Sequence, residues 1–563
     1  MKLTILTWIT FFLLAIVMGL NNIYSTLLTG WGEGGSIVAV ILCLIFLSKK
    51  QRNIVNYNLG QTMASAGGSV GFSVAMIAAI YYIFQQEGSQ WRPPLFNLSL
   101  LVMAFSVMGV TLAVIFRNVI VKWLFPQAMA CATILRAVTS DNHSERQQAQ
   151  KIMGISGVLS AALTIPAKVA FQPGAPALWS KLTITNQLGV SLDPLLYGIG
   201  NVVGGRIGVS LLLGGLFNVL LLTPNLQAKG LEVGEYTRWV AVGLMTLPAF
   251  TSALFTFMMK KERPTPIGFT PIENDPNRKL SMAETTGLWF LFLVATFIVA
   301  YEMDYIFNVT WYYVVAGIAI SGPMCFALGK VTSEIGINPI RLLAIVLLFL
   351  FSIFERHEPI ALLAISVSGA TYAAVAVDLF NDLRTGYLIR ANPKHQILLQ
   401  ILGVIPVAFV CVYFLDFLTV NFGLGEGQYF PAPTAVIWAT MANAFSGETG
   451  ALSHGIWLAI FISTIVGVFL SFLESNKRTQ AYTPSAFALG IAMLLPFEMS
   501  AAIFVGSVFR EAAIFIGKLQ GHEQEEAVRK GAFKAGSAIF AASSIAGIIA
   551  VILISLGVVY LPS

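Results

Sequence analysis

LFNLSLLVMAFSVMGVTLAVIF, residues 95–116, contains no Asp, Glu, Lys or Arg. Coiled as an α-helix at about 1.5 Å per residue, it reaches roughly 33 Å, enough to cross the ~30 Å hydrocarbon core of a bilayer. Working outward from it, comparable apolar segments recur from 5–20 to 536–559, seventeen in all, several of them short or interrupted by Gly and Pro. The 563-residue chain is 56% hydrophobic and 11% charged, less than half the roughly 25% charge of a soluble protein. This excludes a soluble enzyme, a nucleic-acid-binding protein and a disulfide-stapled secreted module. The net charge of +6 (33 Lys+Arg against 27 Asp+Glu) suits short loops facing an anionic leaflet. Cys43, Cys131, Cys325 and Cys411 are scattered through apolar runs with no metal-ligand spacing. The segment 5–20 ends at Asn21-Asn22, not at a small-residue cleavage site, and reads as a retained first span. The expected fold is an all-α polytopic membrane protein of about sixteen transmembrane helices in two related halves. Some helices near the centre are expected to be broken or re-entrant, which is tolerated where their backbone is buried or lines a cavity.

The halves are placed at 1–258 and 285–563, joined by a polar linker over 259–284 that includes KKERPTPIGFTPIENDPNRK. Residues 510–534, with charges of alternating sign, read as a surface helix. Lys49, Lys50 and Arg52 after the second segment, and Lys260, Lys261 and Arg263 after the eighth, place the N-terminus in the cytoplasm. Lys477-Arg478 breaks that alternation, so one later segment is expected not to cross. A faint duplication supports the halving. FPQAMACATILRA (125–137) matches FPAPTAVIWATMA (430–442), each preceded by a small-residue run (62–71 and 369–377). Each is followed by a Gly/Pro-broken segment, GIGNVVGGRIG (198–208) and ALGIAMLLPFEMS (488–500). Paired interrupted segments in two halves point to a transporter's central site.

Charges at bilayer depth persist mainly where they face a cavity or a partner. The densest group is VDLFNDLRTGYLIRANPKHQ (377–396). Asp378, Asp382 and Thr385 fall at i, i+4 and i+7, on one helix face. Two carboxylates there repel, which disposes one of them to hold a proton. Arg384 and Arg390 are near enough in sequence to neutralise them, and Gly386 and Pro393 are expected to break the helix. Two interpretations fit: a proton- or substrate-handling helix end, or an ordinary cytoplasmic loop with capping aspartates. Glu498 follows Pro496, and Arg206 occupies the matching broken element of the first half; the two either pair or bind the ends of a zwitterion. Glu448 follows a glycine and either marks the end of a span or faces solute. Glu302 and Asp304, flanked by Tyr301 and Tyr305, read as interfacial anchors. GISG (154–157) has no histidine shown to be nearby, DLRTG (382–386) has no nucleotide domain beside it, and GxxxxGK[ST] does not occur. The energy for transport must come from an ion gradient, a partner or the solute.

DLFNDLRTGYLIRANPKHQILLQILG, from Asp378, resembles the D-x3-D-x-K-T-G-Y-L-x2-A-S-P-x2-Q signature of the oligopeptide transporter family, which includes the yellow-stripe-like metal-chelate transporters. NYNLGQTMASAGGSVGF (56–72), which carries Gln61, FPQAMACATILRA, YFPAPTAV (429–436) and PSAFALGIAMLLPFEMS (484–500) extend the similarity along nearly the whole chain. Arg384 stands where the family commonly has Lys, and Arg390-Ala391-Asn392 replaces a smaller, Ser-containing version. The length and short loops look like a bacterial member. The resemblance implies about sixteen helices in two related halves and proton-coupled uptake of oligopeptides, modified peptides or peptide-like metal chelates.

The expected function is therefore a secondary active importer working by alternating access in an inner or plasma membrane, with lipid and a small or peptide solute as partners. Asp378 and Asp382 are the proton-coupling candidates. Arg206, Arg384, Thr385, Tyr387, Glu448, Glu498 and Gln61 are the substrate-binding candidates, with Arg206 matched to a carboxylate and Glu498 to an amine or chelate. No cofactor, resident metal or nucleic acid is expected, and assembly as a homo-oligomer is left open. The competing functions are a passive channel, a sodium-coupled transporter and, behind these, a membrane-embedded enzyme.

Overall fold

Where a capping residue or proline precedes an apolar run, the chain turns into helix. The computed structural model describes residues 3–30, 39–40, 42–43, 46–47, 51, 53–89, 92–123, 125–139, 143–172, 179, 181–184, 188–258, 281–335, 340–352, 358–446, 453–476, 478–480 and 482–560. The first-half helices are α1 (Ile5–Thr29), α2 (Ile54–Gln86), α3 (Leu95–Ile120), α4 (Pro126–Thr139), α5 (His143–Lys168), α6 (Pro194–Val203), α7 (Gly205–Leu216), α8 (Thr223–Ala228) and α9 (Val233–Met258). The second half gives α10 (Met282–Phe307), α11 (Trp311–Ile335), α12 (Ile340–Ser352), α13 (Pro359–Leu388), α14 (Pro393–Phe422), α15 (Pro433–Ser446), α16 (His454–Ser475), α17 (Ala486–Leu494), α18 (Phe497–Gln520) and α19 (His522–Ser555). One hairpin, β1 (Lys181–Thr183) with β2 (Gly189–Ser191), pairs Lys181 with Ser191. Among the described residues, ten helices are long and apolar enough to cross a membrane, as an all-α polytopic membrane protein requires. Residues 259–280, most of the expected linker, lie outside the described residues.

Local chemistry sets the boundaries. Asn53 caps α2 by accepting from the Asn56 amide at 2.8 Å. Asp193 caps α6 with Pro194 in the first turn, Ser281 and Glu284 form a reciprocal capping box on α10, and Asn392 with Pro393 opens α14. Gly521, at φ 125, separates α18 from α19, so the stretch 510–534 belongs to two helices and not to one surface helix.

The chain forms two compact units. The first comprises Met1–Leu27, Trp31–Asp141 and Ala253–Gly450, and the second Leu28–Gly30, Asn142–Ser252 and Ala451–Ser563. The order along the chain is therefore first, second, first, second, and each sequence half gives its earlier part to one unit and its later part to the other.

In the first unit α2 packs on α13 and α14, while α3 packs on α13, α14 and α10. Small residues let α1 and α2 touch backbone to backbone: a Cβ on Gly67 would lie 2.6 Å from the Ala15 carbonyl carbon, and one on Gly71 2.7 Å from that of Gly19. Such four-residue small-residue spacing is the usual device for close crossing in lipid, where burial of apolar side chains supplies little drive. The duplicated FP motifs become α4 and α15, both 14 residues long, about 21 Å and too short to cross a bilayer. Each begins with a proline preceded by a non-glycine residue in the left-handed region, Phe125 (φ 45) and Ala432 (φ 43). Each of those residues donates its N–H to the last turns of a helix from the other half, Phe125 to Ser333 O at 3.1 Å and Ala432 to Leu27 O at 2.8 Å. The structural equivalence is thus Phe125-Pro126 with Ala432-Pro433, two residues later than the Phe430-Pro431 match read from sequence.

In the second unit both expected broken helices are present. α6 stops at Gly204 (φ 84) before α7, and α17 stops at Leu495 and Pro496 before α18. α7 continues through one wide π turn, Phe217–Leu222, into α8. Glycines again allow close crossing: a Cβ on Gly506 would lie 2.7 Å from Tyr197 Cα, and one on Gly200 2.9 Å from the Ser507 amide nitrogen.

Candidate functional site

The polar residues that interrupt the hydropathy of α2 and α13 do not end those helices. Hydropathy alone stops the segment at Val377, yet α13 runs to Leu388 and buries Asp378 (6% exposed), Asn381, Asp382 (0%), Arg384 and Thr385. The loop interpretation of these aspartates is therefore excluded. Gly386 does not break the helix either. It makes room, because a Cβ there would lie 2.6 Å from Gln396 Cδ. The turn follows at Arg390, in the left-handed region at φ 65, and Pro393 starts α14.

A buried amide–carboxylate cluster forms where the start of α2, the end of α13 and the start of α14 meet. Gln61 Nε2 donates to Asp382 Oδ1, and Asn58 Nδ2 donates to Gln61 Oε1 at 3.0 Å. Gln396 Nε2 donates to the Asp382 carbonyl at 2.7 Å and to Thr62 Oγ1 at 3.2 Å. Gln400, one turn beyond Gln396 on the same face and wholly buried, finds no hydrogen-bond partner for either amide atom among the described residues. Buried polar groups are nearly always paired, which sets Gln400 apart within the cluster. Of the sequence candidates, Gln61 and Asp382 meet here. Asp378 lies one turn earlier on α13.

Arg384, Thr385 and Tyr387 have structural partners. The Arg384 guanidinium donates to Val121 O at the end of α3, beyond the last turn, where a cation meets the negative helix terminus, and it sits 5.5 Å from the Tyr387 ring centroid. Thr385 Oγ1 donates back to Asn381 O at 3.0 Å. Glu302 is buried and accepts from Asn97 at 2.9 Å. Glu302 is therefore not the interfacial anchor expected, while its neighbours Tyr301 and Tyr305 are exposed and stacked at 6.3 Å. At the far ends of α2 and α14, Tyr81 donates to Asp416 at 3.1 Å, a buried pair that sequence analysis missed.

In the second unit Arg206 Nη1 binds Glu474 Oε1 at 2.6 Å, and Glu498 lies 3.9 Å from Lys181 Nζ. Each thus has a partner other than the one foreseen. The break between α6 and α7 is held by adjacent residues of α18. Arg510 Nη1 donates to the Asn201 and Val202 carbonyls at 3.3 and 3.2 Å, and Glu511 accepts from the Gly205 N–H at 3.2 Å. Cation at a helix C-terminus and anion at the next N-terminus is the favourable arrangement of both dipoles. Lys168 and Asp193 form a buried pair at 2.6 Å. Gln396 stood in the quoted stretch as the last residue of the signature without a role assigned, whereas Gln400, Asp416, Glu474 and Lys168 went unnoticed in the sequence; the one available signal was Gln396 and Gln400 at i, i+4 within an apolar run. Glu448 lies outside the described residues.

The family model for "OPT oligopeptide transporter protein" matches residues 2–554. A Haemophilus influenzae protein named "Putative oligopeptide transporter" is 22% identical over 548 residues, covering 86% of this chain and 84% of its own. "Probable metal-nicotianamine transporter YSL12" of Oryza sativa subsp. japonica is 21% identical, with 62% and 54% covered. "Iron-phytosiderophore transporter YSL15" of the same plant is 24% identical, with 37% and 31% covered. Matched by that model over nearly its whole length, a chain of membrane-crossing helices with paired broken elements belongs to the oligopeptide transporter family and is a multi-pass membrane transporter, not an enzyme.

Proposed function

We propose that the protein is a proton-coupled importer of oligopeptides, modified peptides or peptide-like metal chelates, working by alternating access. The observation that carries this reading is the wholly buried Asp382, bound by Gln61 and set among amide side chains with the unsatisfied Gln400 one turn from Gln396. An amide-rich cluster suits the amide and carboxylate groups of a peptide-like solute. A carboxylate kept from water suits a group that gains and loses a proton. Asp378 is the second candidate for that role. The names of the relatives, an oligopeptide transporter and two metal-chelate transporters, support the substrate class.

The test is uptake into proteoliposomes carrying an imposed proton or sodium gradient. Asp382→Asn keeps the shape and removes the charge, so it is expected to abolish accumulation driven by a proton gradient while counterflow exchange of solute continues. Full concentrative uptake in both Asp378→Asn and Asp382→Asn would remove the coupling role. Accumulation that follows sodium alone would replace the ion.

A further inference from the structure

Between α3 and α10, away from the amide–carboxylate cluster, lies a cavity of about 490 Å³. Its lining divides by chemistry. One group is polar: the buried Arg117, with Asn118 and Thr285; the other is apolar and aromatic: Leu288, Trp289 and Phe292. α10 is the outer wall. Only 28% of its apolar span is buried, and Phe290, Leu293 and Phe297 are 68%, 64% and 75% exposed, as lipid-facing residues are. Glu284, next to the lining residue Thr285, is engaged by Lys394 at 2.8 and 2.9 Å.

We propose that this cavity binds the phosphate of an anionic phospholipid through Arg117, with acyl-chain methylenes against Leu288, Trp289 and Phe292. A guanidinium offers phosphate a planar fork of donors, and Asn118 and Thr285 add neutral donors beside it. Free phosphate would meet the polar end of the cavity but leave the aromatic wall unused, whereas a lipid fills both parts. The membrane side agrees. In the orientation expected from the sequence, α2 leads outward and α3 returns, bringing Arg117 and Lys122 to the anionic cytoplasmic leaflet.

The experiment measures thermal unfolding of the full chain in a neutral maltoside detergent with added phosphatidylglycerol, phosphatidylcholine or inorganic phosphate. Phosphatidylglycerol is expected to raise the melting temperature by roughly 3 °C or more beyond phosphatidylcholine, through preferential binding to the folded state. Inorganic phosphate is expected to have no effect. Arg117→Met removes the difference between the two lipids. Leu288→Trp, which fills the cavity and keeps the cation, also removes it and stands as the independent check if Arg117→Met does not fold. Equal stabilisation by both lipids, retention of the preference in either variant, or full reproduction of the effect by inorganic phosphate overturns the proposal.

Discussion

Replacing Gly386 by alanine should damage the protein in a way that a second substitution repairs. The new Cβ would lie 2.6 Å from Gln396 Cδ and 2.7 Å from its Nε2, where ordinary contact begins at 3.4 Å. The Oε1 of that amide lies closer still, so the amide must withdraw by more than about 0.8 Å, which breaks or stretches its bonds to the Asp382 carbonyl and Thr62. Two net hydrogen bonds at about 1 kcal/mol each, plus about 1 kcal/mol for a buried amide left unsatisfied, sum to roughly 3 kcal/mol. Alanine's better helix propensity returns about 1 kcal/mol, leaving a net loss near 2 kcal/mol. In a Gln396→Ala background the obstruction is gone and Gly386→Ala becomes stabilising by about 1 kcal/mol, so the coupling energy is close to 3 kcal/mol. Denaturant unfolding in micelles, followed by tryptophan fluorescence on the four members of the cycle, measures it. A coupling below about 0.5 kcal/mol, the level of independent sites, would refute the idea that Gly386 is small for the sake of Gln396.

Three further outcomes follow from the same reasoning. Gly67→Val should prevent stable folding because the obstacle is the Ala15 backbone, whereas Gly154→Ala, with nothing within 4 Å, should express normally; detergent-resistant monodisperse yield distinguishes them. Lys168→Met leaves the Asp193 carboxylate buried and uncompensated and should cost about 3–5 kcal/mol, visible as a large loss of unfolding midpoint that Lys168→Arg largely restores. Arg206→Met breaks a pair whose side chains are 29% and 21% exposed and should cost under about 1 kcal/mol. If solute uptake nevertheless falls sharply while the unfolding midpoint holds, Arg206 contacts solute; if both stay unchanged, it does not.

Much of the architecture was written in local chemistry. Charge-free runs such as 95–116 gave spans, Gly204 and Pro496 gave the breaks, and the two FP motifs gave the half-helices α4 and α15. Hydropathy failed where helices carry polar residues into the interior. Asp378 and Asp382 lower the local average, as Asn58 and Gln61 do in α2, so the apolar segment of α13 ends at Val377, about three turns before Leu388. Candidate residues could be chosen by charge, but partners could not. Gln61 and Asp382 are 321 positions apart, and nothing in either neighbourhood names the other. Arg206 was matched to Glu498 by analogy between repeats, yet Glu474 at the end of α16 reaches it, a choice made by helix packing alone. The two-residue offset of the repeat arose because YFPAP supplies two prolines and only the second opens a helix.

The exchanged seating of α4 and α15 has a consequence for biosynthesis. The amide of Phe125 is held by the carbonyl of Ser333, 208 positions downstream. At translation rates of about 5–20 residues per second, α4 waits roughly 10–40 s for its anchor to leave the ribosome. During that interval an insertion chaperone or lipid headgroups must shelter the nascent first half, and a chain truncated after the linker would remain unfinished however long it was given to mature.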